Sequence, residues 1–292
     1  MQDPLNIQEN VSLKQYTTFR VGGAARFFTD ISGADSLKLA IRFAQERQLP
    51  YFILGRGSNV VFSDAGFDGL VIRIVSKSSF HFSENSCEVF AGSSLSALAR
   101  ESIHRGLSGI HLLSGIPGTT GGAVYMNAGA YGQEIADCIR EVRSFDPETE
   151  TTVSRSREEC EFGYRRSVFQ KNKEIILSAI LEFQNGDPEV LKEEAAKVMK
   201  ERKEKQPLEF PNAGSAFKRP AAGFPGALIE AAGLKGFTVG GAQVSEKHAN
   251  FIINTGNASA QDIYDLSEQI IQKVRAHSGI TLEREIIFTG KF

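Results

Sequence analysis

Cysteine is scarce in this chain. Its three residues, Cys87, Cys138 and Cys160, are far apart and form no Cys-x-x-Cys pair. That excludes a disulfide framework or a zinc knuckle and fits a reducing compartment. No uninterrupted apolar run approaches the ~20 residues of a membrane span. The polar start, Met1-Gln-Asp-Pro-Leu-Asn6, has no basic or apolar leader region, so no signal peptide and a cytoplasmic location are expected. A net charge of −2 offers no long-range attraction to nucleic acid or acidic membranes. The five histidines make no His-Glu-x-x-His pattern, so no metal is expected. No obligate protein partner is evident.

Hydrophobic residues make up 41% and charged residues 23% of the 292, the balance of a globular protein with a core. The length favours about two domains. Arg26-Phe27-Phe28 reads as a short strand. Gly33 to Gln48 places Leu37, Ile41 and Ala44 on one helical face, with Pro50 behind it. Residues 51–54 and 70–75 read as strands, and so do 80–82, 87–91, 139–145 and 175–181. One helix interrupts them, capped by Ser94, lined by Leu95, Leu98, Ala99 and Ile103, and ended by Gly106. The composition shifts at Gln184-Asn-Gly-Asp187. Asp187 and Pro188 suit the start of a helix with Leu191, Ala195, Val198 and Met199 on one face and Gln206-Pro207 at its end. A second amphipathic helix, Ser259 to His277, turns Ile263, Leu266, Ile270 and Val274 inward and meets Gly279. A strand from Leu282 to Phe288 comes last. The expectation is an α+β protein with domains at 1–186 and 187–292.

Two glycine-rich stretches stand out. Gly55, Arg56, Gly57, Ser58 and Asn59 come after a strand, as a phosphate loop does; glycine lets backbone amides approach a pyrophosphate, and Ser58 and Asn59 add side-chain donors. The Gly-x-Gly is not completed to Gly-x-Gly-x-x-Gly, and Val60-Val-Phe62 and a turn occupy the place of a helix. A Rossmann site is therefore excluded, and no P-loop motif occurs. The second stretch runs through Gly115, Ile116, Pro117, Gly118, Thr119, Thr120, Gly121, Gly122 and Ala123 to Gly132. Its glycines argue against a regular helix or strand and for tight turns or a ligand-facing surface. The hydroxyls of Thr119 and Thr120, with Asn127, point to phosphate and ring contacts.

These stretches, with Tyr164-Arg165, Asn212-Ala-Gly-Ser215 and Leu282-Glu-Arg-Glu285, occur in an order that closely resembles the UDP-N-acetylenolpyruvoylglucosamine reductase family. The resemblance runs from about Thr17 to the end of the chain. It implies an FAD-binding domain of the vanillyl-alcohol-oxidase (PCMH) type, built from two α/β subdomains, followed by a smaller α+β substrate domain. It also implies non-covalent FAD, reduction of that FAD by NADPH, and hydride delivery to UDP-N-acetylglucosamine enolpyruvate. The product would be UDP-N-acetylmuramate, a peptidoglycan precursor. Only a short helical connection joins Phe183 to Asn212, as in the kind of reductase lacking an extra tyrosine-bearing loop.

Hydride addition to an enol ether conjugated to a carboxylate spreads negative charge into that carboxylate. Preorganised donors matter most at such a centre. The resemblance assigns Arg165, whose guanidinium fork can hold a carboxylate, as one catalytic residue. It assigns Ser215 as proton donor and Glu285 as the catalytic glutamate, which with Arg165 stabilises the enolate. Strand alternation alone puts Glu283, Glu285 and Ile287 on one face and does not choose between the glutamates. Tyr131, Tyr164, Lys218, Arg219, Lys235, Gln243, His248 and Asn250 are further candidates for holding substrate. Arg219 and Ile287 stand where many relatives have asparagine and arginine. Two other readings stay open: a flavin oxidase of the same superfamily, and a flavin-free sugar-nucleotide-binding protein.

Overall fold

The computed structural model describes residues 5–75 and 80–292. Packing divides the chain into two interleaved compact units, in place of the linear boundary expected near residue 186. The first comprises Thr29–Arg56 and Val71–Glu201 together with the chain start; the second comprises Gln8–Phe28, Gly57–Leu70 and Arg202–Phe292. The chain changes unit inside the strands Ala24–Ile31 and Phe67–Ile74, inside the first glycine loop after Arg56, and inside the helix Pro188–Lys205.

The first unit is built on an antiparallel five-stranded sheet. Its spatial order is Thr151–Ser156, Ile139–Asp146, Ile175–Glu182, Ser86–Phe90, Phe80–Ser83. Helix α1 (Ala34–Glu46) buries Leu37, Ile41 and Ala44 as the periodicity predicts. Helix α2 (Leu95–His104) is capped by Ser94, whose Oγ accepts the Ala97 N–H at 3.4 Å, and buries Leu95, Leu98, Ala99 and Ile103. Helix α3 (Thr120–Met126) lies inside the glycine-rich stretch, where no helix is expected. Each helical glycine costs about 1 kcal/mol relative to alanine, but tertiary packing decides here. A Cβ on Gly121 would stand 2.7 Å from Ala91 Cβ, so the helix reaches its neighbour only without a side chain. Thr119 caps α3 by accepting the Gly122 N–H at 3.3 Å, and Asn127 ends it in the left-handed conformation with φ 43°. Helix α4 (Pro188–Lys205) starts at Asp187, whose carboxylate accepts the Glu189 N–H at 2.8 Å.

The second unit has one core. Phe19, Val21 and Val61 from the early segments pack with Phe217, Ile229, Val244, Leu282 and Ile286. Helix α5 (Pro225–Ala231) borders it, and helix α6 (Ala260–Ser278) contributes Ile263, Leu266, Ile270 and Val274. Ser259 and Asp262 form a capping box at the start of α6, and Gly279 at φ 75° ends it. A small antiparallel sheet joins Thr238–Val239, Ala242–Val244 and Ile252–Asn254. The final strand is shorter than expected: only Ile287–Thr289, parallel to Val60–Phe62, because the chain bends at Ile286 and changes partners there.

Candidate functional site

Within the first unit the two glycine-rich stretches meet. A Cβ on Gly55 would lie 2.5 Å from Thr119 Oγ1, so this approach requires glycine. Gly57, at φ 65°, is pinned in the second unit: a Cβ there would lie 2.0 Å from the Tyr16 carbonyl oxygen. The Gly57 carbonyl accepts the Thr18 N–H at 3.0 Å, and the Gly118 carbonyl accepts the Leu95 N–H at 3.1 Å. No peptide among the described residues is cis, so the Ser58 and Thr119 N–H groups face the opposite way from those carbonyls. Neither loop contains an acidic residue. In the first unit, the Thr119 amide and the exposed Arg56 are donors that suit a diphosphate, the group a dinucleotide such as FAD presents. Ile116 is half-buried and Pro117 exposed beside them.

Two of the three polar groups expected on the ligand, Thr120 and Asn127, are buried, and the third, Thr119, caps a helix. Thr120 is 1% exposed and donates to the Ser93 carbonyl at 3.3 Å. Thr119 Oγ1 serves the α3 cap. Asn127, 1% exposed, donates to Glu134 at 2.7 Å and to the Gly163 carbonyl at 3.0 Å, and accepts the Ala136 N–H at 3.3 Å. A buried amide with so many main-chain contacts is a structural hub.

Arg165 is presented by a tight turn. Gly163 and Arg166 exchange both main-chain hydrogen bonds at 3.0 Å, and Arg165, third in the turn, has φ 52°. A positive φ at that position is normally given to glycine or asparagine. Strain of this kind persists where the surroundings hold it, as they do here. Gln170 Nε2 donates to the Arg165 carbonyl at 3.1 Å and to the Tyr125 carbonyl at 2.9 Å. The guanidinium donates to the Gly129 carbonyl at 2.9 Å and the Asn127 carbonyl at 3.4 Å. Its carbon also lies 5.0 Å from the centroid of Tyr164, a ring 49% exposed. Gly129–Ala130 and Gln133–Glu134 pair as a hairpin with Tyr131 (φ 54°) and Gly132 (φ 84°) at its tip. That is the type I′ geometry, with tyrosine in a place that favours asparagine or glycine. Arg165, Tyr131 and Tyr164 thus share one strained platform.

Ser215 and Glu285 belong to the second unit. Asn212 Oδ1 accepts the Gly214 N–H at 2.9 Å, and Gly214 at φ 76° turns the chain into half-buried Ser215. The next residue, Ala216, donates its N–H to the Asn250 carbonyl at 2.7 Å and accepts the Glu285 N–H at 2.8 Å. Asn59 donates its side-chain amide to the Glu285 carbonyl at 3.0 Å. Three motifs far apart in sequence therefore converge on Glu285. Glu283 pairs with Lys218 at 2.6 Å with its side chain 73% exposed, whereas Glu285 is half-buried. Arg284 turns the other way, bonding Ser267 at 2.8 Å and pairing with Glu268 on α6.

The remaining substrate candidates divide. Asn250 is 5% exposed, and its amide cross-links the Phe217 main chain at 3.0 and 2.9 Å, tying it to the Ser215 loop. Gln243 bonds the Gly236 carbonyl and Thr238 hydroxyl at 3.3 Å, within its own hairpin. Lys235 pairs with Glu230 at 2.9 Å. Exposed Arg219 lies 4.4 Å from the Phe224 ring centroid. His248 Nδ1 accepts the Asn250 N–H at 3.2 Å, and burial lowers its pKa, with the Lys235 charge adding to the effect. Sequence reading missed Gln170 and the structural use of Asn127 and Asn250, because polarity alone does not say whether an amide serves a ligand or the main chain.

Among the described residues no group of His, Cys, Asp or Glu side chains could hold a metal ion. No helix among them is long and apolar enough to cross a membrane.

Residues 31–154 match the family model described as "FAD binding domain", and residues 206–289 match "UDP-N-acetylenolpyruvoylglucosamine reductase, C-terminal domain". The chain is 43% identical to the UDP-N-acetylenolpyruvoylglucosamine reductase of Chlamydia muridarum, over 97% of this chain and 94% of that protein. It is 40% identical to the reductase of the same name from Caldanaerobacter subterraneus, over 97% and 93%. The fold matches the crystal structure of UDP-N-acetylenolpyruvylglucosamine reductase from Thermus caldophilus with a TM-score of 0.84 and 35% identity, covering 98% of this chain and 100% of that one. An FAD-binding domain followed by this C-terminal domain, the long relatives and the shared fold agree, and the chain belongs to the UDP-N-acetylenolpyruvoylglucosamine reductase family.

Proposed function

We propose that this protein reduces the enolpyruvyl group of UDP-N-acetylglucosamine enolpyruvate to UDP-N-acetylmuramate, in the cytoplasmic synthesis of peptidoglycan precursors. The reading rests on family membership, and the observation in the fold that carries it is the convergence at Glu285. Its N–H reaches the residue after Ser215, and its carbonyl reaches Asn59 of the first glycine loop. Residues 55–59 and 115–123 would hold FAD non-covalently, and the bound flavin would supply a hydride drawn from NADPH.

Arg165, its guanidinium anchored on the Asn127 and Gly129 carbonyls, holds the substrate carboxylate, and its charge favours the negative charge that would grow as hydride reaches the terminal carbon. Ser215 gives its hydroxyl proton to the adjacent carbon and regains one from solvent; placement matters here because serine is a weak acid. Glu285 supports that carbon's charge change from the same side of the Ser215 loop. Lys218, Arg219, Tyr131 and Tyr164 offer cations and rings to the UDP-sugar. The short passage from Phe183 through α4 to Asn212 fits a reductase without the tyrosine-bearing loop.

The visible spectrum of the purified protein tests the whole reading. NADPH should bleach the flavin absorbance without oxygen, and the enolpyruvyl sugar should restore it. A protein that stays colourless with added FAD would mean a binding protein without chemistry. Restoration by oxygen but not by the sugar would point to an oxidase.

A further inference from the structure

We propose that Asn59, read from sequence as a pyrophosphate donor, is a positioning residue for Glu285; the proposal rests on the function assigned above. The terminal segment changes partners at Ile286. Before that point, the Lys218 N–H donates to the Glu283 carbonyl and the Glu285 N–H to the Ala216 carbonyl, both at 2.8 Å. After it, the Ile287 N–H donates to the Asn59 carbonyl at 3.0 Å. Asn59 therefore grips both sides of the bend, because its side-chain amide donates to the Glu285 carbonyl at 3.0 Å.

The consequence lies at the Glu285 α-carbon. The peptide before it is held by Ala216 and the peptide after it by the Asn59 amide. With both flanking planes fixed, φ and ψ are set and the Cα–Cβ bond has one direction. Without the Asn59 amide, the peptide between Glu285 and Ile286 loses this 3.0 Å hydrogen bond at the bend of the segment. The acid would then sample directions other than the productive one. The role asks for a donor of this length: aspartate would set lone pairs against the Glu285 carbonyl, and alanine would remove the bond.

The test uses FAD-loaded holoenzyme without oxygen and follows two steps separately. NADPH is added to the oxidised protein, and UDP-N-acetylglucosamine enolpyruvate to the reduced protein. Asn59→Ala and Asn59→Asp should slow the second step by about 10- to 100-fold more than they slow the first. In a Glu285→Gln background each should add less than about threefold, since an absent acid cannot be misplaced. Rescue of the second step by a donor, in Asn59→His relative to Asn59→Ala, would add support. Full additional loss in the Glu285→Gln background, equal slowing of both steps, or failure of both variants to retain FAD would overturn the proposal. If Glu285→Gln alone reacts at the wild-type rate, the assignment of Glu285 falls and this proposal falls with it. If Glu285→Gln is slow and the losses add in full, only the role of Asn59 falls.

Discussion

A Cβ on Gly55 would lie 2.5 Å from Oγ1 of Thr119, so the two glycine-rich stretches touch at a point where only glycine fits. Gly55→Ala should cost about 1–3 kcal/mol, divided between fold stability and FAD affinity. Flavin titration by fluorescence and thermal unfolding measure the two parts. Gly55→Ala/Thr119→Ala should recover some of the loss by removing Oγ1, although the α3 cap is then missing at a cost of about 1 kcal/mol. Unchanged affinity and stability in Gly55→Ala would show that the loops do not depend on this contact.

Replacing Ser215 by alanine should leave flavin reduction by NADPH near the wild-type rate. Reduction of the enolpyruvyl sugar should fall by about 10²–10⁴-fold. Rapid mixing resolves the two steps. Loss of the NADPH step with turnover of the sugar intact would remove Ser215 from proton transfer.

Arg165→Ala should slow sugar reduction by about 10²–10³-fold. Arg165→Lys should recover little, because an ammonium cannot span the Asn127 and Gly129 carbonyls and a carboxylate together. Full activity in the lysine variant would mean that charge alone suffices and that the forked geometry is incidental.

Burial holds the His248 imidazole below its ordinary pKa of 6.5, with Lys235 adding to the effect. The unfolded chain then binds a proton more readily than the folded one. This contribution to stability is complete above about pH 6.5 and is lost as the pH falls below it. Urea unfolding across that range should show a shallower acid decline in His248→Gln than in wild type. Parallel declines would place the acid sensitivity elsewhere.

The three thiols are buried, and burial raises Cys87 to about 12, Cys138 to about 11 and Cys160 to about 12. Alkylation at mildly alkaline pH should leave all three unmodified in the native protein and modify them after denaturation, as read by mass. Rapid native labelling of any one would reveal a local opening at that position.

Helix α6 was legible in the sequence because its information is local. Ser259, Asp262 and Gly279 mark the ends, and Ile263, Leu266, Ile270 and Val274 mark the inner face. Helix α3 was not, since Gly121 lowers local propensity while serving a close approach to Ala91 that only the folded chain contains. The final strand was overextended because its change of partner at Ile286 depends on Asn59, more than two hundred residues earlier. The turn bearing Arg165 carries a large side chain at positive φ, so the usual glycine signal was missing there. The chemical roles were readable only as an ordered set of motifs matching a family. Residue type alone left Glu283 and Glu285 equal; in the fold Glu283 pairs with Lys218 with its side chain exposed, and Glu285 is half-buried.

The core that receives Phe19, Val21 and Val61 is completed by Leu282 and Ile286. A ribosome adding about 5–20 residues per second therefore emits those early side chains long before their last neighbours emerge. During that interval the nascent chain carries uncovered aromatic and branched side chains, the kind of surface that chaperones bind. A fragment beginning at residue 206 would lack all three early residues and would leave a gap in its interior. The biosynthesis of this protein is thus timed by its own carboxyl end.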